Sequence, residues 1–500
     1  MFVVLVILTL IITYWSAHRV KNTTDFYAAG RNISSFQNGL AIAGEYMSAA
    51  AFLGISGLIA FKGIDGFLYS VSWLVAFVVV VFVVAESVRN TGRYTFADIV
   101  SYRLKEKPIR GVAALNTLII SMLYMIPQMI AAGVLVKLLF GIPSSVAIVI
   151  TGGLMTIYVM FGGMIATTYI QIVKAVLLLV GSYLLAIFTM AHFNFNINHL
   201  FTAVSQFDPT FLKPGGLIQN PLDRLSLGIG LLFGTAALPH ILMRFYTVPS
   251  ANKARNSVLW GMTFIGLFQI LTPILGFGAL LLVGLSTIES ADKGGNLAAP
   301  LLAQMVGGGP GSIGGEFFMA FLSAIAFITI IAVVSGLSLA ASSAFAYDFW
   351  IRIVRGGKEN HQEQLLVSRL TALGVGALSI IIALLLQNAN VAYLTGLAFA
   401  IAATANLPVL IFSLYWKGLT TAGAITGMVS GLVIAILTVV TGPEFAGENA
   451  LFPLKNPGII SIPLGFLITY VASRLTKKEP NAEMMYKEIA VRSQTGIGAE

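Results

Sequence analysis

The chain has 500 residues, of which 57% are hydrophobic and only 10% are charged, whereas about 25% of the residues of an average soluble domain are charged. This composition indicates a polytopic membrane protein. The sequence contains no cysteine, which excludes disulfides, thiolate metal sites and cysteine nucleophiles. The net charge of +9 does not indicate a nucleic-acid partner, because the basic residues fall mainly in the short loops between apolar segments.

Apolar runs of about 17 to 25 residues, the length that crosses a bilayer, recur along the whole chain. We predict thirteen spans, at 2–17, 38–61, 65–88, 111–140, 145–163, 165–191, 225–247, 256–284, 316–349, 365–387, 390–415, 419–441 and 458–474. The first run lacks a basic segment and a clear cleavage site, so 1–20 is predicted to be a retained first transmembrane helix rather than a signal peptide. The polar tail, 475–500, is expected to be short and mobile.

Lysine and arginine are enriched in short cytoplasmic loops of membrane proteins. If the N-terminus is outside, most of the 29 basic residues fall on the inner side, including those after the first span, those at 89–110 and the group Arg244, Lys253 and Arg255. The sequence therefore predicts an external N-terminus and a cytoplasmic C-terminus. The stretch 91–110 reads either as a short amphipathic helix on the membrane surface, started by Thr95 or Asp98, or as a plain connector.

The span at 38–61 has an unusual centre, GEYMSAAAFLG. A charged Glu45 at membrane depth costs at least about 2.5 kcal/mol unless it faces protein or water. Such a helix is expected to be broken, and its freed backbone groups then need partners such as ions or substrate. The alternative is that glycine, alanine and serine form a face that packs closely against another helix.

A second span, 225–247, carries several glycines and Thr235 before Pro239 and His240. Interrupted helices in corresponding positions of two halves are typical of inverted-repeat transporters with a site near the membrane midplane. We therefore predict two repeats of five helices, 38–191 and 225–415, followed by two helices in 419–474 and the cytoplasmic tail.

Two further groups of polar residues lie inside spans. Lys174 is about ten residues into its span, so its ammonium needs a carboxylate, carbonyls or water. The hydroxyls of Ser335, Ser338, Ser342 and Ser343 either bond back to their own helix or supply oxygen ligands to a small cation. The sequence contains no Walker loop, HExxH or nucleophile elbow, so no enzyme and no cofactor is predicted.

Four segments together resemble the sodium:solute symporter family, and most closely its branch of acetate and short-chain monocarboxylate permeases. They are DFYAAGR (25–31), GLAIAGEYMSAAAFLGISGLI (39–59), GTAALPHILMRFYTV (234–248) and NLPVLIFSLYWKGLTTAGAITGMVSG (406–431). The resemblance implies an all-α protein with a LeuT-like core of five plus five inverted helices, one helix before it and two after, working by alternating access.

The resemblance also implies a cation site. By motif, its ligands fall on the carbonyls of Gly44, Met47 and Ala332 and on hydroxyls at 335 and 336; Ser335 supplies one, but Gly336 has none. A second departure is Gln171, where sodium-coupled relatives carry aspartate. These departures raise the hypothesis that Lys174, together with Glu45, couples transport to H⁺, while Na⁺ held by the remaining ligands and water stays open.

The expected partners are a small carboxylate, a coupling cation (Na⁺ or H⁺) and the lipid bilayer of the cell membrane. Half-helix N-termini at the two breaks favour a carboxylate. The candidate substrate contacts are Tyr46, Ser48, Phe52, Tyr124 and Thr235. The resemblance thus implies a symporter of acetate or a similar monocarboxylate, with symport of proline, pantothenate or a sugar as the alternative, and a channel or sensor as a further one.

Overall fold

A computed structural model describes residues 7, 11, 14–16, 23–159, 163–358, 360–480 and 482–499. Every regular element in these ranges is a helix. The longer or site-forming helices are α1 (Ser35–Tyr46), α2 (Ile55–Lys62), α3 (Phe67–Val79), α4 (Ala85–Thr91), α5 (Glu106–Phe140), α6 (Ser144–Val159), α7 (Met164–Ala191), α8 (Pro221–Gly234), α9 (Pro239–Met243), α10 (Ala251–Gln269), α11 (Thr272–Leu282), α12 (Ile313–Ser343), α13 (His361–Leu385), α14 (Val391–Tyr415), α15 (Thr421–Val440), α16 (Gly458–Leu475) and α17 (Ala482–Thr495). The short helices between them are Thr23–Ala28, Phe96–Ser101, Ile197–Phe207, Leu285–Ala291, Ala298–Val306 and Pro443–Ala446.

Within the described ranges, 10 helices are long and apolar enough to cross a membrane. One of them, Ala50–Thr91, is divided by a turn at Gly63, whose φ of 70° favours glycine. The predicted span at 2–17 lies almost entirely outside the described residues. The fold class, an all-helical membrane protein, is confirmed, whereas the count of thirteen spans is not.

Both predicted helix interruptions are present. α1 ends at Tyr46, Met47 leaves the helical conformation (φ −69°, ψ 68°), and the chain resumes as a π-helical turn that leads into α2. The second break is at Leu238, which is extended (φ −77°, ψ 120°), since Pro239 disfavours a helical residue before it. We call 35–62 the first broken helix and 221–247 the second broken helix.

A third interruption was not predicted. The span expected at 256–284 is divided into α10 and α11 by a turn at 270–271, because Pro273 in the first turn of α11 has no N–H to continue the helix. Pro127 and Pro408, by contrast, lie inside the uninterrupted helices α5 and α14.

The helices approach each other closely where small residues meet. α1 packs against α10 and α7, and α12 packs against α5, α7 and α13. A side chain at Gly39 would overlap Trp260, and one at Gly44 would overlap the backbone of Gln171. The small-residue face considered in the sequence analysis therefore exists on the same helix as the break, and the two interpretations are compatible.

The segment 91–110 is mostly buried in the protein, with residues 93 and 105–108 exposed. Its helix Phe96–Ser101 is buried and begins with a capping box between Thr95 and Asp98, so the cap is as predicted and the surface location is wrong. The tail also differs from expectation, because α17 packs against α4 and α14 and is held by a hydrogen bond from Nε of Arg492 to the carbonyl of Asn90.

Candidate functional site

A buried ion pair links the two broken helices. Glu45 of α1 accepts a hydrogen bond from Nε of Arg244, which follows α9, and each side chain is about 1% exposed. Nη1 of Arg244 also donates to Oγ1 of Thr168 on α7 at 2.9 Å. The pair compensates the cost of a charged Glu45 inside the protein. The sequence analysis counted Arg244 among the basic residues of the inner side and did not predict this buried pair.

Lys174 lies in the same region and is fully buried. Its Nζ has no hydrogen-bond partner among the described residues, and the charges that act on it most strongly are Glu45 and Arg244. Three ionisable side chains, two basic and one acidic, therefore share this part of the core.

Two of the predicted cation ligands, Gly44 and Ala332, contact Gln171. The side-chain amide of Gln171 donates to the carbonyl of Ala332 at 3.0 Å, and its backbone lies against Gly44. Ser335 donates its hydroxyl hydrogen to the carbonyl of Ile331 at 2.8 Å, as the structural alternative expected. Met47 is at the break of the first broken helix.

Gly336 contacts Glu45. A Cβ at Gly336 would overlap Oε1 of Glu45, and this oxygen is buried without a hydrogen-bond partner in the described part of the chain. A carboxylate oxygen thus occupies the space that a side chain at 336 would fill.

Two of the candidate substrate contacts, Tyr46 and Tyr124, belong to an aromatic cluster, which we define by Tyr46, Trp73, Tyr124, His240 and Phe399. Adjacent ring centroids are 5.3–5.6 Å apart, from Tyr46 through Trp73 and Phe399 to Tyr124 and His240. The hydroxyl of Tyr124 lies beside Ser48, which places the cluster next to the first break.

The two remaining candidates, Phe52 and Thr235, lie outside the aromatic cluster. Phe52 is 1% exposed in the π-helical turn after the first break. Thr235 is buried before the second break and donates to the carbonyl of Leu231 at 3.3 Å, so its hydroxyl hydrogen is already used.

Buried polar atoms without partners border the aromatic cluster. They include both amide atoms of Gln128, Nε1 of Trp73 and Nδ1 of His240, within the described ranges. Buried polar groups normally have a partner in the protein, in water or in a ligand. Gln128 follows Pro127 in α5, and Gln269, whose side chain is close to Tyr46, ends α10. The sequence analysis missed these residues and Arg244, although mid-span glutamines beside prolines were a signal it did not use.

The comparisons with known proteins fit this geometry. The model of the sodium:solute symporter family matches residues 26–431. The chain belongs to the sodium:solute symporter family. It is 49% identical over 512 aligned positions to the "Uncharacterized symporter YwcA" of Bacillus subtilis (strain 168), an alignment that covers 100% of this chain and 98% of that protein.

Two solved structures share the fold. A substrate-bound, outward-open Na⁺-coupled sialic acid symporter has a TM-score of 0.73 at 17% identity and covers 95% of this chain and 97% of its own. The nucleobase-cation-symport-1 family transporter Mhp1, in a closed conformation, has a TM-score of 0.56 at 12% identity, with 94% and 99% covered. This member of the sodium:solute symporter family is therefore a multi-pass, LeuT-fold transporter of a solute, and its relatives point away from an enzyme.

Proposed function

We propose that this transporter carries acetate or a similar short-chain monocarboxylate into the cell, coupled to a cation, by alternating access. The observation that carries the proposal is the set of buried ionisable side chains, in which the basic Arg244 and Lys174 outnumber the acidic Glu45. An unpaired buried charge is costly, and one small anion beside a protonated Lys174 balances this set. The neighbouring aromatic cluster supplies an apolar wall for a short alkyl chain, and Gln128, Trp73 and His240 supply polar contacts.

Sodium is the coupling ion that the ligand chemistry favours. Na⁺ prefers oxygen ligands, as other hard cations do. The carbonyls of Gly44, Met47 and Ala332 and the hydroxyl of Ser335 remain candidate ligands. Oε1 of Glu45 lies where a side chain at 336 would be, so we include it as the oxygen that replaces the missing hydroxyl.

Proton coupling through Lys174 is the second candidate. Its support is that the buried Nζ lacks a hydrogen-bond partner among the described residues, and that the amide of Gln171 already occupies one side of the Ala332 carbonyl. A lysine at such a position changes its proton affinity readily when its surroundings change.

The proposed arrangement keeps the two repeats, 38–191 and 225–415, as units that move relative to each other, each starting with a broken helix. We place the protein in the plasma membrane with its N-terminus outside and its C-terminus in the cytoplasm, as the distribution of basic residues favours.

The test is uptake and counterflow in proteoliposomes with labelled acetate, propionate and pyruvate. Proline, pantothenate and a sugar serve as competitors. The proposal expects acetate to accumulate above its external concentration and to be displaced by monocarboxylates only. Displacement by one of the three competitors instead would favour the alternative solute, and flux that never exceeds equilibrium would indicate a channel.

The coupling ion is tested in the same vesicles. Uptake that requires Na⁺ and survives a protonophore supports sodium, and the reverse supports H⁺. Lys174→Gln is compared with Lys137→Gln, since Lys137 lies at the end of α5 and donates to the carbonyl of Ala291 at 3.0 Å. We expect only Lys174→Gln to abolish uptake.

A further inference from the structure

A second polar cavity lies away from the ion pair, at the end of the first broken helix. Its volume is about 360 Å³, and we call it the rim cavity. It is bounded by the end of α2 at Lys62, the turn at Lys293, the residues before α14 from Asn388 onward, and the segment that carries Lys455. No sequence motif drew attention to it, because its residues come from segments that are distant along the chain.

The rim cavity has an excess of positive charge. Three lysines, Lys62, Lys293 and Lys455, and one acid, Glu444, are among its lining residues. Nζ of Lys455 pairs with Glu444 at 3.2 Å, which leaves the charges of Lys62 and Lys293 uncompensated within the lining.

Two further acids lie behind the wall. Asp65 accepts hydrogen bonds from the backbone N–H groups of Leu217 and Ile218, two residues of the lining. The second acid is Asp223. Its carboxylate accepts hydrogen bonds from the backbone N–H of Lys455 at 3.0 Å and of Asn456 at 2.8 Å, and from the side-chain amide of Asn456 at 3.0 Å. These three donors hold the carboxylate behind the wall, whereas Lys62 and Lys293 belong to the lining itself.

The floor of the rim cavity leads to the aromatic cluster. Tyr69 lines the cavity and is 1% exposed. Its ring centroid is 5.7 Å from that of Trp73, which in turn contacts Tyr46 at the first break. The cavity and the candidate substrate contacts are therefore separated by two ring layers only.

We infer that the rim cavity is an entry site that binds a small carboxylate before it reaches the aromatic cluster. The ammonium groups of Lys62 and Lys293 attract the anion, and an excess of one sign of charge in the lining of a cleft raises its local concentration. In the orientation proposed above this cavity faces the outside. The identity of the ligand as a carboxylate rests on the proposed function.

The absence of cysteine from the chain makes a clean probe available. Asn388 lines the cavity and is exposed, so Asn388→Cys supplies the single thiol of an otherwise full-length protein in detergent. Its labelling rate is measured with a sulfonate-bearing and with a trimethylammonium-bearing thiol reagent, in sodium acetate and in sodium chloride at equal ionic strength. The same labelling is measured in Asn388→Cys that also carries Lys62→Gln and Lys293→Gln. The control is Asn388→Cys with Lys213→Gln, a change outside the lining.

We expect acetate to slow the labelling at least about threefold relative to chloride. The rate ratio of the anionic to the cationic reagent should fall about fivefold or more when both lysines are neutralised, and Lys213→Gln should change neither value. Equal labelling rates in acetate and in chloride would overturn the proposed entry site. So would a reagent ratio that does not change when Lys62 and Lys293 are neutralised.

Transport is read separately in proteoliposomes. The double lysine variant is expected to raise the KM for acetate several-fold at low salt and to keep its maximal rate. If acetate is not transported at all, the proposed function fails. Protection of Asn388→Cys by acetate is still measured, and it tests the entry site independently.

Discussion

Glu45 and Arg244 show how a charge is kept inside a membrane protein. Neither residue is exposed by more than about 1%, and each provides the other's counter-charge. Removing one partner of such a pair leaves an uncompensated buried charge, whereas replacing both removes the problem.

This argument gives a double-mutant test. Arg244→Gln is expected to destabilise the protein by about 3–5 kcal/mol, measured as a lower melting temperature in detergent. Adding Glu45→Gln should recover much of that loss, since no unpaired charge then remains. A double variant as unstable as the single one would show that the arginine acts by packing and not by charge. Both variants are expected to lose uptake.

Gly336 is the residue at which a single methyl group should matter. Because its Cβ would overlap Oε1 of Glu45, Gly336→Ala must displace the carboxylate, at a cost of about 1–3 kcal/mol for overpacking. Sodium-dependent uptake and the melting temperature should both fall.

The matched control for Gly336→Ala is Gly374→Ala in α13, where an added Cβ meets nothing within 4 Å. Alanine there should be neutral or stabilise the helix by up to about 1 kcal/mol. If both variants change uptake and the melting temperature to the same extent, the contact between Gly336 and Glu45 is not important for function.

At the scale of elements, a second buried charge cluster joins the short helix Phe96–Ser101 to α5 and to the end of the α12 segment. Arg110 pairs with Asp98 at 2.8 Å and also with Asp348. Oγ1 of Thr95 donates to Asp348 at 3.1 Å. The cluster therefore fixes three elements at one end of the bundle.

The cluster allows a buried and an exposed ion pair of the same arginine to be compared. Arg110 also pairs with Glu106 at 2.7 Å, but the Glu106 side chain is 50% exposed while that of Asp98 is 8% exposed. Asp98→Asn should cost about 3 kcal/mol or more, as for a broken buried pair, and Glu106→Gln less than about 1 kcal/mol. Thermal unfolding in detergent measures both. Equal losses would mean that burial does not set the strength of these pairs.

The tail helix α17 is a further element whose role can be tested. Nε of Arg492 donates to the carbonyl of Asn90 at 2.7 Å, and its guanidinium lies over the ring of Tyr102 at 5.4 Å. Losing a charged hydrogen bond costs about 1.5–3 kcal/mol, so Arg492→Ala should release α17 and expose the tail to limited proteolysis. Lys487→Ala, an exposed change in the same helix, should leave the protection as it is. Rapid cleavage of the unmodified tail would contradict docking.

At the scale of the whole molecule, the sequence was sufficient for the fold class and for both helix breaks. These features depend on local sequence signals, which can be read from one chain. The signals are the apolar runs, the glycines before Met47 and the proline after Leu238. The role of Arg244 could not be predicted in this way, because a basic residue near the end of a predicted span is read as a surface charge until its partner, Glu45, is found about 200 residues earlier. The docking of α17 could not be predicted either, because it also depends on tertiary contacts.

Orientation in the membrane is a prediction at this scale. In intact cells, a membrane-impermeant maleimide should label Lys293→Cys and should leave Lys417→Cys unlabelled until the membrane is opened, because the charge distribution puts position 293 outside and position 417 inside. The chain without cysteine serves as the background. The opposite labelling pattern would reverse the topology and with it the assignment of the rim cavity to the outer face.

The pairing of Glu45 with Arg244 also has an electrical consequence. Because the pair carries no net charge, the membrane voltage acts on transport through the solute, the coupling ions and Lys174, each elementary charge that crosses contributing about 2.3 kcal/mol per 100 mV. One carboxylate carried with one Na⁺ crosses without current, while each additional cation adds one positive charge per cycle. The current that accompanies uptake therefore counts the coupling ions per molecule of solute.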